Sequence, residues 1–424
     1  MKKIIGLAIA AAFGLSACSN LDHKTAHEVM SISNDRILKE DHSFNITGSS
    51  RVYISPLAEA VLADEKVEEK AKAEVEGAKA KAEVEGAKAK AEDAAASMEN
   101  TQEEDDPLKQ DFSEKEEAEF RNAMLDALPD GSIVQVAINY LDKYPAISSY
   151  IERTHLNYEV AVDLSTRQFE MIPELAINNH NEKLSIKLPM KLDAEKWEIY
   201  MDPPASAAAI ISVYTDEKIG KRLIKEPLKV SLKDSTDLKG VPFDHIAEAA
   251  MRAWLSINKS LPADAYVFKE MDEFGKSHKA RYRVRYVMKP EHDSIVMKAM
   301  AKAFDEELSK LQKTPQPGST EEEYQKAKEN FSAFSSLSES IQPLNFKQVF
   351  GKNPVTDYYL DRKGRMLASR MYMQINGIDK AINIIGDSVY SNYGKPVFKF
   401  NPQGKGITWE ELKEFFSSNK KEDD

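Results

Sequence analysis

A single cysteine, Cys18, serves the whole 424-residue chain. One thiol excludes an internal disulfide and any multi-thiolate zinc site. Basic residues are also in deficit: 58 Lys and Arg stand against 70 Asp and Glu, for a formal net charge of −12. Nucleic-acid binding needs a basic surface to neutralise phosphates, so that class is excluded as a general function. No apolar run reaches the ~20 residues of a membrane-spanning helix. Gly-x-Ser-x-Gly, Gly-x-x-x-x-Gly-Lys-Ser/Thr and His-Glu-x-x-His do not occur. The nucleophile elbow, phosphate loop and zinc helix that those motifs build are therefore not written here. His155, His180, His245, His278 and His292 are scattered without ligand spacing, and no cofactor, metal site or reaction class finds support.

What is present begins at the N-terminus. Lys2 and Lys3 precede an apolar run from Ile4 to Phe13, closed by Leu15-Ser16-Ala17-Cys18. A charged start, a short apolar middle and a small-residue site read as a secretory signal over residues 1–17. Leu15, Ser16 and Ala17 followed by the sole cysteine resemble the lipobox of bacterial lipoproteins. That resemblance implies cleavage before Cys18, thioether lipidation of its sulfur and acylation of its new amino group. Ser19, where inner-membrane lipoproteins often carry Asp, then implies anchoring in the outer membrane of a Gram-negative cell with the body in the periplasm. Three acyl chains at about 0.8 kcal/mol per buried CH2 make such an anchor effectively permanent. An acidic chain draws no help from anionic headgroups, so the lipid is expected to hold it.

Residues 18–56 are polar and mixed and are expected to form a flexible tether after the lipidated Cys18. His23 and His27, four apart, would share a face of a helix, but spacing supplies no third strong ligand. Over 57–97 the composition shifts to Ala, Glu, Lys and Val, and a nine-residue unit at 73–81 repeats at 82–90. A nine-residue step is two and a half helical turns, so Val75 and Val84 face opposite sides and no coiled-coil seam forms. The expectation is a solvated, partly helical spacer, then an acidic linker at 98–112.

The body, 113–424, is expected to be α+β, with a possible subdivision near 235–345. Ser113 and Glu116 form a capping box for a helix to about Leu128. Clean alternation marks strands at 156–164, 184–190 and 197–201, the pattern of antiparallel strands with one wet face. Apolar periodicity predicts helices at about 243–259, 292–312 and 320–341. Strands follow near 345–350, 355–361, 366–376, 380–390 and 395–400, with turns at 362–365 and 376–379, and Thr408 with Glu411 caps a short last helix. Ala205 to Ile211 fits either a covering helix or a buried strand.

Asp357-Tyr358-Tyr359-Leu360-Asp361 with its Lys-Gly turn, Met371-Tyr372-Met373-Gln374-Ile375, the strand around Ile384 and Asn392-Tyr393-Gly394-Lys395-Pro396-Val397 resemble the end of LolA-like and LppX/LprG-like lipid-binding lipoproteins. The resemblance covers roughly 355–402. It implies a curved antiparallel sheet forming an incomplete barrel, covered by amphipathic helices, with an apolar cavity for acyl chains. The longer body leaves one enlarged sheet or two lobes open.

Two constellations are candidates for ligand contact. Lys279, Arg281, Arg283 and Arg285 alternate with Tyr282, Val284 and Tyr286, so a strand there carries cations on one face, suited to phosphate or acidic polymer. The plain alternative is a solvent face opposite a packed core. Met371 and Met373, with Met366, make a methionine-rich strand whose adaptable side chains suit variable acyl chains, or equally ordinary core filling. The functional expectation is a non-enzymatic outer-membrane lipoprotein that binds a hydrophobic or lipid-type ligand. The alternative is an envelope scaffold that presents its body to a protein or cell-wall partner.

Overall fold

The computed structural model describes residues 21–56, 151–178, 183–206, 208–209, 217–232, 240–340, 352–376, 380–402, 404–408 and 410–412. The signal and lipobox, the 57–97 spacer, the 98–112 linker, the 113–128 helix and the 345–350 strand lie outside the described residues. Within them the helices are α1 (Ala26–Lys39), α2 (Glu217–Leu223), α3 (Phe243–Ser260), α4 (Glu273–Ser277), α5 (Pro290–Leu311) and α6 (Glu321–Ser340). The first strands are β1 (Ser43–Pro56), β2 (Thr154–Asp163), β3 (Gln168–Asn178), β4 (Lys183–Lys187), β5 (Met190–Asp193), β6 (Glu198–Met201) and β7 (Leu228–Ser231). The later ones are β8 (Tyr266–Lys269), β9 (Tyr282–Val287), β10 (Val355–Leu360), β11 (Met366–Asn376), β12 (Lys380–Ser391) and β13 (Ile407–Thr408).

These strands form one curved, unclosed sheet in the order β13-β7-β6-β5-β3-β2-β1-β12-β11-β10-β9-β8, with β4 also on β3. Among the described residues only the β13–β7 pair is parallel. The α+β class is as the alternation and periodicity indicate, and the sheet is continuous rather than divided into two lobes.

The expected tether is a correction. Residues 26–39 are a helix capped by a Thr25/Glu28 box, and 43–56 form a 14-residue strand at the centre of the sheet. β1 pairs with β2 on one side and β12 on the other. Its polar Ser, Asn and Thr residues hide the usual apolar alternation. Gly48 is small because neighbours crowd over it: a Cβ there would run into the Tyr158 ring and stand 2.7 Å from the Asp387 carbonyl oxygen. Tyr158 lies across that gap and its hydroxyl meets Ser388 Oγ at 2.6 Å.

Helices α1 and α5 pack on one face of the sheet near β8–β10, whereas α4 lies on the opposite face with Phe274 against the Tyr359 ring. Leu21, Val29 and Met30 are buried with Leu261, Tyr266, Tyr282, Val284, Leu360 and Met366. A second cluster joins α3, α5 and α6 through Ala249, Ala253, Phe304, Leu308 and Tyr324, with Phe304 stacked on Phe331. The N-terminus of α3 is fixed to the far side of the sheet by Asp244, which accepts from Trp197 Nε1 at 3.0 Å and Arg167 Nη1 at 3.1 Å.

Residues 395–400 are not a strand, although Pro396 to Phe400 alternates. Side chains, not a neighbouring backbone, satisfy this segment. Glu170 accepts from the Lys399 and Phe400 N–H groups at 2.9 and 2.7 Å, and Asn45 brackets Val397. The Thr408/Glu411 box is formed, with bonds of 2.9 and 3.2 Å. Residues 205–206 and 208–209 are helical, and the rest of 205–211 lies outside the described residues.

Candidate functional site

Cross-strand partners in an antiparallel sheet share a face. The registers therefore assemble one row across six strands: Met371, Gly386, Ser50, Leu156, Leu175 and Ile186. At ~4.8 Å per strand the row is about 24 Å wide. Beside it, on the same face, lie Met373–Ile384–Val52, Ile375–Ile382–Ile54 and Ile177–Leu184. This is the face that carries Tyr282, Val284 and Tyr358 under the helices.

Away from those helices no described residue covers the face. Leu156, Leu175, Leu184 and Ile186 are exposed by 45, 42, 56 and 40 %. Four adjacent large aliphatic side chains make a patch, whereas single exposed ones are commonplace. Met371 and Met373 are part-buried at its other end. A Cβ on Gly386 would lie 3.7 Å from Met371 Cε, so the thioether methyl rests over the glycine. Sequence alternation marked Leu156, Leu184 and Ile186 as inward-facing. It carries no signal that the inward face is left uncovered there.

The cationic ladder is a second correction. Arg281 is exposed, but Arg283 is buried and Arg285 part-buried, both turned onto Asp357 of the next strand. Asp357 Oδ2 accepts from Arg283 Nη2 at 2.6 Å and Arg285 Nη2 at 2.8 Å, and Oδ1 accepts from Arg285 Nε at 2.7 Å. Arg283 Nη1 also lies 3.1 Å from Asp272 Oδ2. Burial alone would raise the Asp357 pKa, but the hydrogen bonds and charges of Arg285 and Arg283 prevail and hold it below the usual carboxylate range. Alongside, Arg370 clasps Asp387 at 2.6 and 2.8 Å and lies 4.0 Å over the Phe274 ring. Three arginines are thus matched by three aspartates, and this face is an internal ion-pair network. The structure separates Arg283 and Arg285 from Met371 and Met373, which occupy the opposite face.

A third feature is an open cavity of about 250 Å³ lined by Thr47, Asn157, Tyr158, Glu159, Ile172, Glu174, Lys187 and Lys399. Its charges are already paired, Lys399 with Glu159 and Lys187 with Glu174 at 3.7 Å. The Glu174 carboxyl is held below its ordinary range first by the Ser185 hydroxyl, against a smaller desolvation effect.

His23 sits in a 3-10 turn and His27 in α1, so they do not share one helix, and His27 packs against the Tyr266 ring. Among the described residues no group of three or more His, Cys, Asp or Glu is arranged to hold a metal, and no helix is long and apolar enough to cross a membrane. Comparison with protein-family models, curated proteins and solved structures finds no match to this chain.

Proposed function

We propose that this chain is a lipoprotein anchored in the outer membrane through Cys18, whose body takes up a hydrophobic or lipid-type ligand on the open part of the helix-bearing sheet face. The observation that carries the reading is the exposed patch of Leu156, Leu175, Leu184 and Ile186, in register with Met371. One leaflet's acyl chain spans about 15 Å, half the ~30 Å hydrocarbon core. The row of about 24 Å accepts such a chain lengthwise. Each CH2 laid on the patch contributes about 0.8 kcal/mol if fully buried. The headgroup role once open to Arg283 and Arg285 is withdrawn, because Asp357 already holds both.

The test is native mass spectrometry of residues 19–424, followed by organic extraction. A stoichiometric lipid lost on Leu175→Asp or Leu184→Asp, in variants whose far-ultraviolet dichroism is unchanged, supports the proposal. A clean apo mass with no uptake of added phospholipid rejects it. That result favours the scaffold reading, with a protein partner on the same patch.

A further inference from the structure

The anchor and the insertion leave the body from opposite ends of the sheet. Leu21, three residues after Cys18, is fully buried in the body. Three residues reach about 10 Å at most. A lipid on Cys18 therefore holds this corner of the body at the membrane and leaves no room for a stand-off. Residues 57–150 lie between β1 and β2, not between anchor and body. They depart after Pro56, at the other end of a strand about 45 Å long.

The corner is identifiable. Asp22 binds Arg281 at 3.4 Å and the Tyr282 hydroxyl at 2.6 Å. Arg281 N–H donates to the Leu360 carbonyl at 2.7 Å, where the 361–365 turn begins. Leu21 packs against Gly364 of that turn. Of its acids, Asp361 accepts the Lys363 and Arg365 N–H groups and Asp41 binds Arg36 and Arg365, while Glu40, paired with Arg36, and Asp22, paired with Arg281, stay exposed. Lys279, Arg281, Arg362 and Lys363 are exposed. A chain of net charge −12 thus gathers exposed cations at the one corner its anchor reaches.

We propose that this corner is the membrane-facing surface, with Lys279, Arg281, Arg362 and Lys363 meeting anionic phospholipid headgroups and the Pro56 end of β1 directed away from the bilayer. The inference rests on lipidation of Cys18, part of the function proposed above. Basic residues near an anionic surface each favour contact by about fivefold. The sole cysteine makes the test clean, because lipidation blocks it and an introduced thiol is then unique.

Full chains carrying Lys363→Cys or Glu291→Cys are expressed with the native signal, labelled with a thiol-reactive fluorophore and placed in vesicles of phosphatidylethanolamine and phosphatidylglycerol with a headgroup-nitroxide lipid. Glu291 follows the far end of β9, about 20 Å away along the strand. Peptide mass reports the lipid on Cys18. The expected result is a lipidated protein quenched at 363 and not at 291. Quenching at 363 should also weaken on phosphatidylcholine vesicles and with Lys279→Glu plus Arg362→Glu. An unmodified Cys18 overturns this inference together with the anchoring. A lipidated protein quenched at 291, or at neither position, overturns the orientation alone. Equal quenching on both vesicle types overturns the headgroup contact.

Discussion

Asp357 shows how far a single residue can redirect a sequence motif. Alternating Arg281, Arg283 and Arg285 do form one strand, so their spacing is read correctly. The counter-charge of Arg283 and Arg285 comes from a strand about seventy positions later, and that of Arg281 from Asp22, which no local pattern announces. Replacing Asp357 with Asn takes away the carboxylate that Arg283 and Arg285 share, leaving Arg283 with Asp272, and should cost about 3 kcal/mol, measured by urea unfolding. The pH dependence has a definite sign. Because the folded Asp357 carboxyl ionises below its unfolded range near pH 4, its stabilisation is complete above that range and drains away as pH falls through the folded value. Stability titrated downward from pH 5 should therefore fall more gently in Asp357→Asn than in the parent. Gly48 presents the opposite case, a residue needed for what it lacks. Gly48→Ala sets a methyl against backbone as well as the Tyr158 ring, so no rotamer relieves it. A loss of about 1–3 kcal/mol is expected by the same unfolding measurement.

At the scale of elements, patterning located most of the pieces. Helices expected at 243–259, 292–312 and 320–341 appear as α3, α5 and α6 within two residues, and 355–361, 366–376 and 380–390 appear as β10, β11 and β12. β1 was hidden because its residues are polar or small and its stability comes from two flanking strands rather than an apolar stripe. Residues 395–400 mislead in reverse, since their alternation is real but Glu170 and Asn45 supply the hydrogen bonds a ladder would have made. The placement of β1 recasts the low-complexity region. β1 and β2 are antiparallel neighbours, and Ile54 N–H donates to Glu152 Oε1 at 3.0 Å, so 57–150 is an insertion in a β-hairpin. Replacing 57–150 with a four-residue turn should leave the fold intact and raise stability by about 2–3 kcal/mol through the smaller loop-closure entropy. Deleting 19–56 should abolish folding. Circular dichroism and urea midpoints check both, and loss of structure in the shortened chain would show that the insertion is part of the fold.

For the whole molecule, the decisive fact is that, among the described residues, the backbone ladders of the sheet's two halves are joined through its N-terminal strand. Strands β2–β7 and β13 lie on one side of β1, and β8–β12 on the other. The register of β1 against β12 joins residues more than 300 positions apart, so neither half is finished until both chain ends are in place. Helix α3 ties the halves a second time, from Asp244 at the β5–β6 turn to Lys259, which pairs with Asp35 of α1 at 3.1 Å. Two covalently distant links make independent unfolding of the halves unfavourable, because opening either one exposes both edges of β1. The chain should therefore unfold as one cooperative unit. Hydrogen exchange under native conditions tests this directly: the slowest amides of β3 and of β10 should report the same opening free energy and shift together on Gly48→Ala. If β10 kept its protection while β3 lost it, β1 would belong to one half only, and the sheet would be two lobes sharing an edge.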